Sequence, residues 1–93
     1  MPSTSNSLHK EVTIVNDLGL HARAAAKLAK TAIKADHNVW LEFGGEQVDA
    51  KQVIDILILA AAKGDTVTVR IEQAGDVQVL DLIIQLINDG FGE

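Results

Sequence analysis

The chain of 93 residues contains no cysteine, which excludes disulfide frameworks, thiol nucleophiles and thiolate metal sites. Aromatic side chains are scarce. Trp40, Phe43 and Phe91 are the whole set, too few to build a platform on which nucleic-acid bases stack. Positive charge is also in short supply: eight basic residues stand against thirteen acidic ones, a net charge of −5. That is the wrong sign for a phosphate backbone, so no nucleic-acid partner is expected. The longest apolar run, residues 56–62, falls far short of the roughly 20 residues that span a bilayer, and no membrane insertion is expected. The first ten residues lack the apolar segment of an export signal. With cysteine also missing, the cytoplasm is the expected compartment. His9, His21 and His37 are too widely spaced to form a metal-binding motif, and no metal or cofactor is expected.

What remains is the composition of one small folded domain, 47% hydrophobic and 23% charged. Residues 1–10, rich in Ser, Thr and Asn without periodicity, read as a disordered leader. Residues 11–93 read as the domain. Val12 and Ile14 alternate with polar neighbours over residues 11–15, a strand with one wet face. Asn16-Asp17-Leu18-Gly19 supplies turn chemistry. An alanine-rich stretch without Gly or Pro, residues 21–35, predicts a helix. Residues 39–43 alternate again, Gly44-Gly45 signals a hairpin, and residues 46–48 pair back. A second helix is expected over residues 50–62, entered through Asp49 and Gln52 or later through Gln52 and Asp55, and ended by Gly64. Residues 66–72 form the cleanest strand, and Asp76 is placed to cap a last helix that stops near residues 88–90. The order β-α-β-β-α-β-α predicts an α+β open-faced sandwich: a four-stranded, mostly antiparallel sheet with three helices on one face.

Chemistry concentrates at the start of the first helix. His21 follows the turn glycine Gly19, and Arg23 comes two residues later. The first helical turn carries unpaired N–H groups and a partial positive charge, which together make an anion site. A guanidinium suits phosphate oxygens, and an unprotonated imidazole nitrogen is a nucleophile near neutral pH. Arg23, Lys27, Lys30 and Lys34 recur at spacings of 4, 3 and 4, placing half of the basic residues of an acidic protein on one helical face. Taken alone, these features fit phosphoryl acceptance at His21 and equally fit a surface histidine beside a solvated cationic face. Trp40 falls on the open face of the sheet, and Asp76, Asp81 and Asp89 read as capping and solvating acids.

The segment Gly19-Leu20-His21-Ala22-Arg23-Ala24-Ala25-Ala26-Lys27-Leu28 resembles the active-site segment of the HPr family, the histidine-containing phosphocarriers of the bacterial phosphoenolpyruvate-dependent phosphotransferase system. The resemblance runs from Glu11 to the end of the chain, in element order, spacing and the Ala50-Lys51 entry to the second helix. It implies that His21 carries phosphate on Nδ1, that Arg23 neutralises it, and that the backbone amides of Ala22 and Arg23 cradle its oxygens. Phosphorylated enzyme I would be the donor and a histidine of an enzyme IIA domain the acceptor, with no cofactor and no turnover of the protein's own. The second helix would dock both partners through Val53, Ile54, Leu57 and Ile58, rimmed by Arg23, Lys27 and Lys30; a fully buried helix is the alternative. Two departures from the family pattern stand out. Ala24 replaces the usual proline, and Gln52 takes the place of the regulatory serine, which removes the hydroxyl a serine kinase would need. A monomer is expected. Sugar uptake is the first reading, with a regulatory, nitrogen-type branch or a non-phosphorylated interaction module on the same fold as alternatives.

Overall fold

Apolar residues at every second position organise the sheet: Val12 and Ile14, Val39 and Leu41, then Val67, Val69 and Ile71 are all buried. The computed structural model describes residues 7–93. Its elements are β1 (His9–Thr13), α1 (Ala22–Ala32), β2 (Val39–Phe43), β3 (Glu46–Asp49), α2 (Val53–Leu59), β4 (Thr66–Ile71) and α3 (Val77–Asn88), with short 3-10 turns at Ala74–Asp76 and Gly90–Gly92. The strands lie in the order β1-β4-β2-β3, and every pairing is antiparallel. Val12 sits opposite Val67 and Leu41 opposite Val69, so the register gathers the apolar side chains on one face. The three helices cover that face and the other is left open, the expected open-faced sandwich.

Alanines at Ala24, Ala25, Ala29 and Ala32 turn the inner side of α1 to the core around Leu28, and their small size lets the helix approach closely. α3 supplies Val79, Leu80, Ile83 and Ile87. Phe91 closes the same core although its φ is +58°, a left-handed conformation that a bulky residue seldom adopts. Among the described residues, no helix is long and apolar enough to cross a membrane.

Several boundaries differ from expectation, where tertiary hydrogen bonds or tight local turns outweigh helix propensity. Of the expected leader, residues 1–6 lie outside the described residues, while His9 and Lys10 belong to β1, opposite Arg70 and Val69. α1 stops at Ala32 instead of residue 35. The amides of Lys34 and Ala35 tighten onto the carbonyls of Thr31 and Ala32, and Asp36 and His37 are drawn off the helix axis by Asp76. That carboxylate accepts from the amides of Asp36 and His37 at 2.9 and 3.0 Å. Asp76 therefore makes no side-chain cap for α3, contrary to its expected role. Lys34 consequently lies beyond the helix that carries Arg23, Lys27 and Lys30.

α2 is shorter than expected at both ends. The Ala50 amide is taken by the carbonyl of Val39 and the Lys51 amide by the side chain of Asp49. The helix starts after Gln52, at the later of the two readings, with no side-chain cap. At the other end Ala60, not Gly64, adopts the left-handed conformation that terminates it. Trp40 is half-covered on the open face, where its indole N–H donates to Glu72 at 2.9 Å.

Candidate functional site

The turn between β1 and α1 is built around Asn16 and Gly19. Asn16 is buried; its side-chain amide donates to the carbonyl of Gly19 at 2.8 Å, and the Gly19 amide returns a bond to the Asn16 carbonyl at 3.1 Å. Gly19 has a φ of +63°, and a Cβ there would stand 2.7 Å from the Ala61 carbonyl oxygen and 2.9 Å from Ala62 Cα. Only glycine meets both conditions. The next residue, Leu20, is buried and donates its amide to the same Ala61 carbonyl at 3.0 Å. The segment beyond α2 thus sets where the turn releases the chain into α1.

His21 is the residue so released. It occupies the N-cap of α1 in an extended conformation, and its carbonyl accepts the first helical bond, from Ala25, at 2.8 Å. Its Nδ1 accepts from the backbone amide of Arg23 at 3.3 Å. An imidazole nitrogen here replaces the usual oxygen of a capping side chain. Nδ1 therefore faces the positive end of α1 and its first-turn amides, Ala22 and Arg23 among them. Arg23 is exposed in the first turn of the helix. Ala24, at the position of the family's proline, is fully buried and continues the helix.

The other ring nitrogen meets a residue that sequence reasoning did not select. Nε2 of His21 is hydrogen-bonded to the carboxylate of Glu93, with about a fifth of each side chain exposed. The Asn16 side chain donates to the second oxygen of that carboxylate at 3.2 Å. The bond from His21 holds the Glu93 carboxyl below its usual range, opposed by burial and assisted by Asn16 and by the charges of His21 and Arg23. Glu93 reaches the site because the chain reverses through Gly90–Gly92 and because Lys27 Nζ donates to the Phe91 carbonyl at 2.6 Å. The only hint in the sequence is the Gly-Phe-Gly run itself, which turns the chain without naming its destination.

The residues expected to dock partners fall into two groups. Ile54 and Ile58 are 68% and 64% exposed, Val53 and Leu57 are half-buried against the core, and Ile56 and Leu59 are the residues of α2 that are buried in it. The fully buried alternative for this helix is thereby removed. Of the cations, Lys27 and Lys30 are both exposed, and the ammonium of Lys27 also donates to the Phe91 carbonyl. Leu18 and Val15, 65% and 46% exposed beside His21 in sequence, add apolar surface that the strand pattern did not single out. Gln52 is exposed at the start of α2. His37 lies next to Asp76, away from His21, and among the described residues no three His, Asp or Glu side chains gather as a metal site.

This arrangement offers one nucleophilic nitrogen at a helix start, an adjacent guanidinium and a carboxylate behind the ring. Residues 8–89 match the family described as the PTS HPr component phosphorylation site. The phosphocarrier protein HPr of Cupriavidus necator is 41% identical over 86 residues, 92% of this chain and 97% of that protein. The phosphocarrier protein NPr of Shewanella violacea is 37% identical, with 92% and 94% covered. Among solved structures, HPr-C-His from Thermoanaerobacter tengcongensis superposes with a TM-score of 0.86 at 32% identity, covering 91% of this chain and 96% of that one.

Proposed function

The chain belongs to the HPr phosphocarrier family, and from that premise we propose that His21 takes a phosphoryl group on Nδ1 from phosphorylated enzyme I and passes it to a histidine of an enzyme IIA domain. The observation that carries this reading is the placement of Nδ1 at the N-cap of α1, accepting from the Arg23 amide at 3.3 Å. A phosphoryl group added to Nδ1 displaces that long bond. Its oxygens then receive the amides of Ala22 and Arg23, while the Arg23 guanidinium covers the added charge. Stabilisation comes from donors already in place, so little has to reorganise as the group arrives.

Docking is assigned to Ile54 and Ile58 with Val53 and Leu57 alongside, flanked by Arg23 and Lys30. An exposed apolar patch with a cationic rim suits partners that present apolar centres with acidic surroundings. Lys27 contributes by holding the turn at Phe91. Because Gln52 offers no hydroxyl, control by a serine kinase does not operate at that position. The protein works as a cytoplasmic monomer. Similarity to relatives named HPr and NPr supports the phosphocarrier chemistry common to both; sugar uptake is the reading placed first, and the regulatory branch is the alternative.

The test is a relay with labelled phosphoenolpyruvate, enzyme I and a panel of enzyme IIA domains. Label should reach an enzyme IIA only when the chain is present, and the domain that accepts it decides between the branches. Label that never leaves enzyme I contradicts the proposal.

A further inference from the structure

A carboxylate withdrawn from water needs a donor in its place, and one acid of this chain has none. Among the described residues, Glu42, Asp49, Asp55, Asp65 and Asp76 are the acids that are buried or half-buried. Glu42 receives the Arg70 guanidinium at 2.6 and 3.2 Å. Asp49 receives the Lys51 amide at 2.9 Å, Asp65 the Ala62 amide at 2.8 Å, and Asp76 the amides of Asp36 and His37. Asp55 alone of this set takes no hydrogen bond or ion pair from the described residues. The bonds it could have made go elsewhere. The Gln52 amide, which a reciprocal cap would bring to it, donates to the Asp49 carbonyl at 3.1 Å. The nearest cation in sequence, Lys51, turns its ammonium to the Ala35 carbonyl at 3.2 Å. The first-turn position gives Asp55 support from the dipole of α2 but no donor.

Its place on the helix gives this vacancy a meaning. At about 100° per residue, Asp55 stands beside Ile58 around α2, on the flank away from Val53 and Leu57. It therefore borders the exposed crest of Ile54 and Ile58. The end of α2 lies beside the start of α1, through the Leu20 amide and the Ala61 carbonyl at 3.0 Å. Asp55, in the first turn of α2, is thus at the end of the patch remote from His21.

We propose that Asp55 selects the partner: a protein that docks on α2 presents a lysine or arginine to this carboxylate, one cation within an otherwise acidic surface. The proposal rests on docking over α2, as the phosphocarrier reading assigns it. A surface that closes on Ile54 and Ile58 also strips solvent from Asp55. A cation opposite replaces that solvation with a charge-assisted hydrogen bond. An apolar group there leaves a charge unpaired, and an acidic one sets like charges together. Arg23, at the His21 end, asks for the opposite sign, so a partner turned end for end meets a like charge at both places.

Calorimetric titration of the full chain with unphosphorylated enzyme I tests this without calling on any chemistry. Asp55→Asn keeps the shape of the side chain and removes its charge. Its Kd should be about tenfold weaker than wild type, and Asp55→Lys should lose at least as much again. Added salt should weaken the wild-type complex more steeply than that of Asp55→Asn, which has one ion pair fewer. In steady state the KM for this protein as substrate of enzyme I should rise by the same factor with kcat unmoved, a split that a merely structural role would not produce. An Asp55→Asn chain that binds as tightly as wild type, or tighter, would overturn the proposal, as would tighter binding by Asp55→Lys. A wild-type chain that does not bind enzyme I would overturn docking and the role of Asp55 together. A chain that binds but takes no phosphoryl group would strike at the phosphocarrier reading alone, and the three Kd values would still decide the role of Asp55.

Discussion

Lys27 Nζ donates to the backbone carbonyl of Phe91 at 2.6 Å, a bond between residues 64 positions apart. It ties the exposed side of α1 to the turn that brings Glu93 against His21. A cation spaced as if for a partner therefore serves first inside the molecule, organising the site it was expected only to flank.

Lys27→Met keeps the aliphatic stem and removes the ammonium. The loss should destabilise the fold by about 1 kcal/mol, the net worth of a partly exposed hydrogen bond. The effect should concentrate in the closing turn, where Gly92 and Glu93 donate their amides to Asp89 and Gly90. Hydrogen exchange at those two amides should quicken while the amides of β4 keep their protection. Unchanged exchange at Gly92 and Glu93 would show that Phe91 holds the turn unaided.

Gly19→Ala tests the turn that releases His21. The new Cβ would meet the Ala61 carbonyl oxygen at 2.7 Å on a backbone with φ of +63°. The combination of strain and overlap should cost roughly 1–3 kcal/mol and lower the melting temperature accordingly. Because the turn must shift, the rate of phosphoryl acceptance should fall as well. A variant with wild-type melting and wild-type rate would contradict this picture of a close-packed turn.

Much of this architecture was legible in the sequence, and the illegible parts share a cause. The alternation at Val67, Val69 and Ile71, the turn at Gly19 and the placement of His21 and Arg23 at a helix start are local signals, and all are realised. The ends of α2 are not local. Ala50 has high helix propensity yet gives its amide to Val39 in the sheet, and the Ala61 carbonyl beyond α2 is claimed by Leu20. The contact of Glu93 with His21 spans 72 residues and depends on a positive φ at Phe91, for which no periodicity or spacing exists to be read. Asp76 had the sequence context of a cap, but its buried carboxylate instead accepts from the amides of Asp36 and His37, a contact between segments far apart in the chain.

Asp76 makes stability depend on acid. The bond from the Asp36 amide, against the opposing effect of burial and with the help of the His37 amide and ring, holds its carboxyl below the ordinary value of 3.8. The folded form therefore binds this proton less readily than the unfolded form does. The stabilisation is complete above the unfolded value and is lost as the pH falls through the lower folded one. Asp76→Asn keeps one acceptor oxygen but turns an amide toward a donor. Its melting temperature should lie below wild type at neutral pH, and the gap should narrow in acid. A gap that is constant from neutral pH down to strong acid would contradict the assignment.

Ile54→Asp with Ile58→Asp tests the docking surface. Both side chains are mostly exposed, so each change should alter stability by no more than about 0.5 kcal/mol. Placing charge in the centre of an apolar contact should instead raise the KM for this protein as substrate of enzyme I by about tenfold or more. An unaltered KM would move the partner surface away from α2.

The central claim is that one nitrogen atom, Nδ1 of His21, carries the phosphoryl group. The direct measurement is NMR of phosphorus-31 and nitrogen-15 on the labelled chain after incubation with enzyme I and phosphoenolpyruvate, with His21→Ala as the parallel sample. The account predicts a single phosphorus–nitrogen bond at Nδ1 of His21, labile in acid, stable in alkali and absent from His21→Ala. A phosphoryl group on Nε2, on another residue or on neither protein would contradict it.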